Sequence, residues 1–268
     1  MRLLPSPTWF VGCGNMAGAM VEGWRKAGVD LSEATAIRPS GRQVEGVRTV
    51  TIAPEGSPRI ALLGFKPQKL DEVAPGLAPK AGRDTIVISI LAGVEAASLR
   101  RRFPAAGAIV RAMPNLPVSE GRGVVALYSE DADAELRDRL SQLFGALGLA
   151  IWTEDESSFS AIGSVAGAGP AYVARFIAAL AKAGEARGLP RGTAEAIALE
   201  TVLGTAAMAE AHGESMDDVA RRVASPNGTT EAGLAILDAD GTLDRLVAET
   251  IAAAARRGAE LAEAARKP

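Results

Sequence analysis

Residues 9–20 read Trp-Phe-Val-Gly-Cys-Gly-Asn-Met-Ala-Gly-Ala-Met, a run of strand formers that gives way to glycines and then to a helical pattern. The spacing Gly12-x-Gly14-x-x-Ala17 at that junction suits one task, the cradling of a pyrophosphate. Gly12 permits a tight turn, and Gly14 lets a phosphate approach the backbone. Ala17 is small enough for close helix–strand packing, and the first helical amides donate to the anion. Glycines also make ordinary turns, so the weight lies in the strand–turn–helix context at the first crossing of the chain. The next strand ends in Arg38-Pro-Ser40-Gly-Arg42. An NAD site normally places Asp or Glu there for the ribose hydroxyls. Arg38, Ser40 and Arg42 suit a 2′-phosphate instead, through charge-assisted hydrogen bonds. The expected cofactor is NADPH, with NADH the weaker alternative.

A third stretch, Ser225-Pro-Asn-Gly-Thr-Thr230, interrupts a long helical region and restarts it on two hydroxyls. Read alone it has two meanings: ordinary helix capping, or a new helix N-terminus whose open amides hold an anion. Other catalytic side chains are scarce. The 268 residues contain 1 His and 1 Cys, which argues against a protein zinc site, a Cys-His pair or a Ser-His-Asp triad. His212 precedes Gly213 at a helix stop and reads as a solvated side chain favoured by the helix dipole. The chemistry is therefore expected to come from a cofactor and from backbone dipoles.

The elements that must position these residues fall into two patterns. In the first half, apolar strand runs at 8–12, 34–37, 59–65, 84–91, 105–113, 122–128 and 149–152 are interleaved mainly with helical stretches. That alternation predicts βαβ units and a parallel, doubly wound sheet. After about Glu154 the strands stop, and 172–188, 193–213, 216–224 and 243–266 are all helical and rich in alanine. The expectation is an α/β chain with a Rossmann-type dinucleotide-binding domain over 1–154 and an all-α domain over 155–268. Several of the late helices carry apolar residues on more than one face, which calls for burial against another subunit. A net charge of -3 gives no basic field for nucleic acid. The apolar stretches are broken by charges or glycines and none is expected to reach the ~20 residues of a membrane span. No signal-peptide pattern is visible, and a cytoplasmic protein is expected.

Six segments together carry a family resemblance: Val11-Gly-Cys-Gly-Asn-Met-Ala17, Gly64-Phe-Lys-Pro-Gln68, Ser89-Ile-Leu-Ala-Gly-Val94, Arg111-Ala-Met-Pro-Asn-Leu-Pro117, Ala166-Gly-Ala-Gly-Pro-Ala-Tyr172 and Ser225-Pro-Asn-Gly-Thr-Thr-Glu-Ala-Gly-Leu234. In this order and at these spacings the chain resembles pyrroline-5-carboxylate reductase, from Phe10 to about Glu260. The resemblance implies reduction of 1-pyrroline-5-carboxylate to L-proline, the last step of proline biosynthesis. It also implies a C-terminal helical domain that interlocks a homodimer, with a ring of dimers as a further assembly. The dinucleotide would lie on Gly12, Gly14, Asn15, Met16 and Ala17. Lys66-Pro67 and Leu91-Ala92 would flank its ribose and nicotinamide, and Asn115 would sit near the reacting centre as a substrate-binding residue. Ser225, Gly228, Thr229 and Thr230 would hold the cyclic imino acid. On that reading the amides of Gly228 and Thr229 and the Ser225 hydroxyl take its carboxylate, and Thr230 faces the imine nitrogen as the catalytic hydroxyl.

The chain departs from the family pattern at Gly64-Phe65, usually Ala-Val, and at Leu116, usually Thr. Ala166 and Ala168 stand where serines are usual, and Asn227 where a glycine is usual. These changes remove three hydroxyls and leave two alternatives, a related cyclic imine as substrate or a dinucleotide-binding regulator. A β-hydroxyacid dehydrogenase would need a lysine and an asparagine on the helix after the sheet, and residues 160–176 contain neither.

Overall fold

The computed structural model describes residues 3–266. The chain separates into two compact units, Met1–Ala168 with Ala254–Pro268, and Gly169–Ala253. Eight strands form one sheet: β1 (Thr8–Val11), β2 (Ala34–Ile37), β3 (Arg48–Val50), β4 (Ile60–Leu63), β5 (Ile86–Ser89), β6 (Ala108–Pro114), β7 (Gly123–Tyr128) and β8 (Gly148–Trp152). Five helices accompany them: α1 (Asn15–Lys26), α2 (Leu70–Leu77), α3 (Ala96–Arg102), α4 (Ala134–Gly145) and α5 (Glu156–Ile162). Then come α6 (Gly169–Ala186), α7 (Arg191–His212), α8 (Met216–Val223), α9 (Thr229–Asp238) and α10 (Thr242–Arg266).

The strand order is β3-β2-β1-β4-β5-β6-β7-β8. β1, β2 and β4 are buried along their whole length, as expected of parallel strands covered on both faces. Phe10 pairs with Ala36 on one side and Leu62 on the other. The order reverses between β1 and β4, and the crevice beyond the carboxyl ends of those strands is where open α/β sheets bind ligands. The sheet is not wholly parallel: β7 runs antiparallel to β6, with Arg111 opposite Tyr128. Only a short 3-10 segment, Leu116–Glu120, lies between them, too little for a crossover of roughly a dozen residues or more. The short edge strand β3, exposed at Arg48 and only half-buried beyond it, was absent from the predicted runs because it lacks a strong apolar pattern.

Two apolar layers enclose the sheet. On one side Phe10, Met20, Trp24 and Phe144 pack together, Trp24 stacking on Phe10 at 6.0 Å and donating its indole N–H to the Leu143 carbonyl at 2.8 Å. On the other lie Trp9, Leu63, Leu99, Phe103 and Phe159.

The second unit has little interior of its own. Among its described residues only Ala181, Ala194, Ala198, Ala209 and Val219 are buried apolar side chains. α6 and α7 approach closely through small residues: a Cβ on Gly184 would lie 3.3 Å from that of Ala194. The glycines and proline near 163–170 suggest a broken apolar stretch, yet the fold runs from Glu156 to Ala186 as one helix of 31 residues. A five-residue π-turn, Gly163–Gly167, joins α5 to α6. This corrects the sequence expectation, because a window of that helix with mean hydropathy 1.3 is long and apolar enough to cross a membrane. A helix covered by another protein surface has the same composition.

Candidate functional site

The glycine turn after β1 depends on close approach. Gly12 has φ +75°, and a Cβ there would lie 2.8 Å from the Cβ of Phe65. Gly64, on the neighbouring strand end, fits against it: a Cβ would come 2.5 Å from the Gly12 carbonyl oxygen and 2.9 Å from the Ala17 Cβ. The departure at Gly64 is therefore part of the loop's own packing. Gly14 caps α1 with extended backbone, so the amides of Asn15, Met16 and Ala17 open the helix without carbonyl partners one turn back. Asn15 is exposed, Met16 packs partly on the core and Ala17 is buried.

Beside this N-terminus lies a pocket of about 250 Å³ whose lining includes Gly14, Asn15, Arg25, Arg38, Arg42 and Glu45. Arg38 is half-buried and its amide donates to the Val50 carbonyl at 2.8 Å, which anchors the β2 end to β3. Arg42 is exposed, and its amide donates to the Ser40 hydroxyl at 3.4 Å. Among the described residues neither guanidinium stands in an ion pair, whereas Arg25 and Glu45 pair at 3.3 Å. The two arginines thus remain open to an anion. Burial pushes the Cys13 thiol up to about 11, opposed by the nearby Arg38 charge, so Cys13 is a packed neutral side chain.

Lys66 is exposed and Pro67 opens a short 3-10 turn ahead of α2. Leu91 is buried and packs in the core, so it presents backbone to the crevice, while Ala92 is exposed. The loop that carries them is anchored from a distance. Glu156 accepts the Ala96 amide at 2.9 Å through Oε1 and pairs through Oε2 with Arg111. Arg111 is buried and stacks over the Phe159 ring at 4.3 Å. Burial pulls its guanidinium down and Glu156 opposes that.

Asn115 follows β6 as the N-cap of the Leu116–Glu120 segment and is only 6% exposed. Its Oδ1 accepts the Val124 amide at 2.8 Å, and its Nδ2 donates to the Ala166 carbonyl at 3.0 Å. Leu116 is exposed beside it.

The Ser225–Thr230 segment belongs to the other unit. Asn227 adopts φ +56°, the left-handed conformation that asparagine tolerates best after glycine. Its backbone N–H donates to the Glu231 carboxylate at 2.6 Å. Gly228 is the N-cap of α9, and a Cβ there would overlap the Ser225 hydroxyl, which lies tucked beneath it. The Gly228 amide, expected as a carboxylate donor, instead closes a turn onto the Ser225 carbonyl at 2.9 Å. Thr229 and Thr230 open the helix, Thr229 exposed and Thr230 half-buried. Their amides and that of Glu231 have no carbonyl one turn back, so the open amides of this helix start lie one residue further along than expected. His212 lies exposed at the end of α7, its Nδ1 2.8 Å from the Met208 carbonyl oxygen.

Some contributing residues escaped sequence reasoning. Gly18, Glu22 and Arg25 line the pocket from α1, beside the expected Asn15. Their spacing of three and four is a helical stripe that the sequence does display. The Arg111–Glu156 strut left no such signal, because its partners lie 45 residues apart.

Comparisons with known proteins bear on this arrangement. Residues 156–261 match the family model "Pyrroline-5-carboxylate reductase dimerisation", and residues 9–93 match "NADP oxidoreductase coenzyme F420-dependent". The pyrroline-5-carboxylate reductase of Pseudomonas aeruginosa is 36% identical over 95% of this chain and 96% of its own. That of Synechocystis is 41% identical over 75% of this chain and 74% of its own. This chain belongs to the pyrroline-5-carboxylate reductase family. The solved pyrroline-5-carboxylate reductase of Coxiella burnetii, 31% identical, superposes with a TM-score of 0.86 over 96% of this chain and 98% of that one. The dimerisation match begins at Glu156, the residue that ties α5 to the sheet.

Proposed function

We propose that this member of the family reduces 1-pyrroline-5-carboxylate to L-proline with NADPH, as a homodimer in the cytoplasm. The Rossmann domain is assigned to 1–154 and the dimerisation and substrate domain to 155–268. The glycine cradle fits a dinucleotide: Gly12 and Gly64 let the turn pack closely, Gly14 leaves open room for a pyrophosphate, and Arg38 and Arg42 offer two cations beside it, outside any ion pair among the described residues. When bound, the nicotinamide supplies a hydride to the imine carbon. Lys66, Pro67, Leu91 and Ala92 are assigned to its ribose and ring. The reading places the assembly, singly or as a ring of dimers, away from nucleic acid and membranes, with the apolar helix from Glu156 to Ala186 covered by a second subunit.

The observation that carries the substrate half of this reading is the start of α9. There a left-handed Asn227, a tucked Ser225 and open amides at Thr229 and Thr230 present dipoles suited to a carboxylate. The Thr230 hydroxyl is assigned to the imine nitrogen, where it orients the protonated C=N group or relays its proton. Catalysis then rests on positioning and on charge stabilisation, which explains how a chain with 1 His can reduce an imine.

A hydrogen bond to a charged group contributes about 1.5–3 kcal/mol. Thr230→Ala should lower kcat/KM for pyrroline-5-carboxylate about 10- to 150-fold and leave NADPH affinity nearly unchanged. Thr229→Ala, which keeps its backbone amide, should matter far less. Equal losses in the two variants, or a Thr230→Ala protein that loses NADPH and keeps turnover, would reduce the segment to a helix cap.

A further inference from the structure

We infer that Asn115 acts as a positioning residue for this reaction, through the π-turn it holds, and that its side chain does not contact the imino acid. The inference rests on the reductase reading above. Asn115 joins two of the motif segments that lie 51 residues apart, the Met-Pro-Asn turn and the Ala166–Tyr172 segment. Both ends of its amide are used inside the protein: Oδ1 accepts from the Val124 N–H, and Nδ2 donates an N–H to the Ala166 carbonyl. Its backbone is used as well, N–H to the Val124 carbonyl at 3.2 Å and C=O from the Val118 amide at 3.2 Å. An amide can make up to about four hydrogen bonds; two of Asn115's go to the protein, and at 6% exposure its remaining N–H and lone pair are largely shielded from a ligand.

What it holds is a rare element. The π-turn Gly163–Gly167 interrupts the α-helical pattern between α5 and α6, and such turns recur at functional sites. Gly163 sits directly against the Met113 sulfur, where a Cβ would overlap it. The Met-Pro-Asn turn thus grips the π-turn twice, through the Met113 side chain at Gly163 and through the Asn115 amide at Ala166. The same turn continues into Leu116–Glu120, which packs on α1 so closely that a Cβ on Gly23 would overlap the Val118 carbonyl oxygen. Lys26 of α1 reaches Glu120 at 2.7 Å. Asn115 therefore fixes the π-turn to the same rigid piece that carries the dinucleotide helix. A misplacement of about 1 Å in such a frame can slow a reaction by roughly 100-fold.

A kinetic cycle tests this with the full-length protein. In Asn115→Ala the expected result is a kcat at least tenfold lower, with KM for pyrroline-5-carboxylate changed less than threefold and NADPH affinity retained. Gly163→Ala, which displaces the flexible Met113 side chain from the other grip, should lower kcat in the same manner. The double variant should be no worse than the poorer single one within twofold, because both act through one turn. Losses that multiply, or an Asn115→Ala protein whose KM rises at unchanged kcat, would overturn the inference and make the amide a substrate ligand. If Asn115→Ala lacks native circular dichroism, Asn115→Asp, which keeps the acceptor for Val124, takes its place in the cycle under the same criteria. Wild-type protein that fails to turn over pyrroline-5-carboxylate with NADPH sinks the functional reading and this inference together. Turnover with independent variants sinks the inference alone.

Discussion

The sheet unit and the helical unit solve the problem of burial differently. The first closes two apolar layers around eight strands and leaves Trp9, Phe10, Trp24, Phe103 and Phe144 inside. The second leaves Phe176 at 52%, Ile197 at 50% and Leu203 at 53% exposed, and its own interior is built from alanines and Val219. Alanine contributes little transfer free energy on burial, but it permits the close helix approach seen at Gly184 and Ala194. Such helices pair tightly within one chain while keeping their larger apolar side chains for a further surface. A match to a dimerisation model over 156–261 agrees with that division. On the proposed dimer, stability in the first unit is a property of one chain, whereas in the second it depends on association.

Substitutions in the two units should therefore fail in distinguishable ways. Trp24→Ala removes a fully buried ring, two aromatic neighbours and the hydrogen bond to Leu143. It should lower unfolding free energy by about 3–5 kcal/mol in urea titration, with a loss that persists at every protein concentration. Phe176→Asp should leave the folding of the sheet unit intact and dissociate the dimer. An unpaired buried charge costs about 3–5 kcal/mol, so the dimer Kd should rise at least about 100-fold, read by light scattering on dilution. A Phe176→Asp protein that remains dimeric, or one whose sheet unit unfolds, would break the comparison.

Cofactor choice sharpens the same contrast, because it should depend on the sheet unit alone. Arg38→Asp should lower the ratio of kcat/KM for NADPH over NADH by about 10- to 100-fold, the loss of one charge-assisted hydrogen bond. It should leave the oligomeric state untouched; an unchanged ratio would remove the 2′-phosphate assignment. The smallest effect concerns Cys13. With its thiol held near 11 by burial, alkylation at pH 8 should be slow in the native protein and fast in urea. A neutral thiol favoured by folding stabilises the protein fully below the ordinary value of 9.0, and this contribution fades as pH rises toward about 11. Rapid native labelling at pH 8 would show that the glycine loop opens.

Much of this protein was legible because its signals are local. Gly12-x-Gly14-x-x-Ala17, the arginines after β2 and the restart at Thr229 are set by φ preference, residue size and open helix amides within a few residues. The sequence determined those features, the strand–helix alternation and the change to alanine-rich helices, and with them the family. The antiparallel turn of β7 followed from a connection too short to cross over, and the edge strand β3 took shape through pairing with β2 and the packing of Val50 on the core. Residues 163–170 looked broken until the π-turn joined them into one helix, held by Met113 and Asn115. The tertiary structure alone decided that Gly64 must lack a side chain, that the Gly228 amide is closed on Ser225, and that Asn115 spends both ends of its amide within the protein. Each of these depends on what a residue meets in space, over chain separations that no local preference reports, so packing and hydrogen-bond satisfaction had the deciding role.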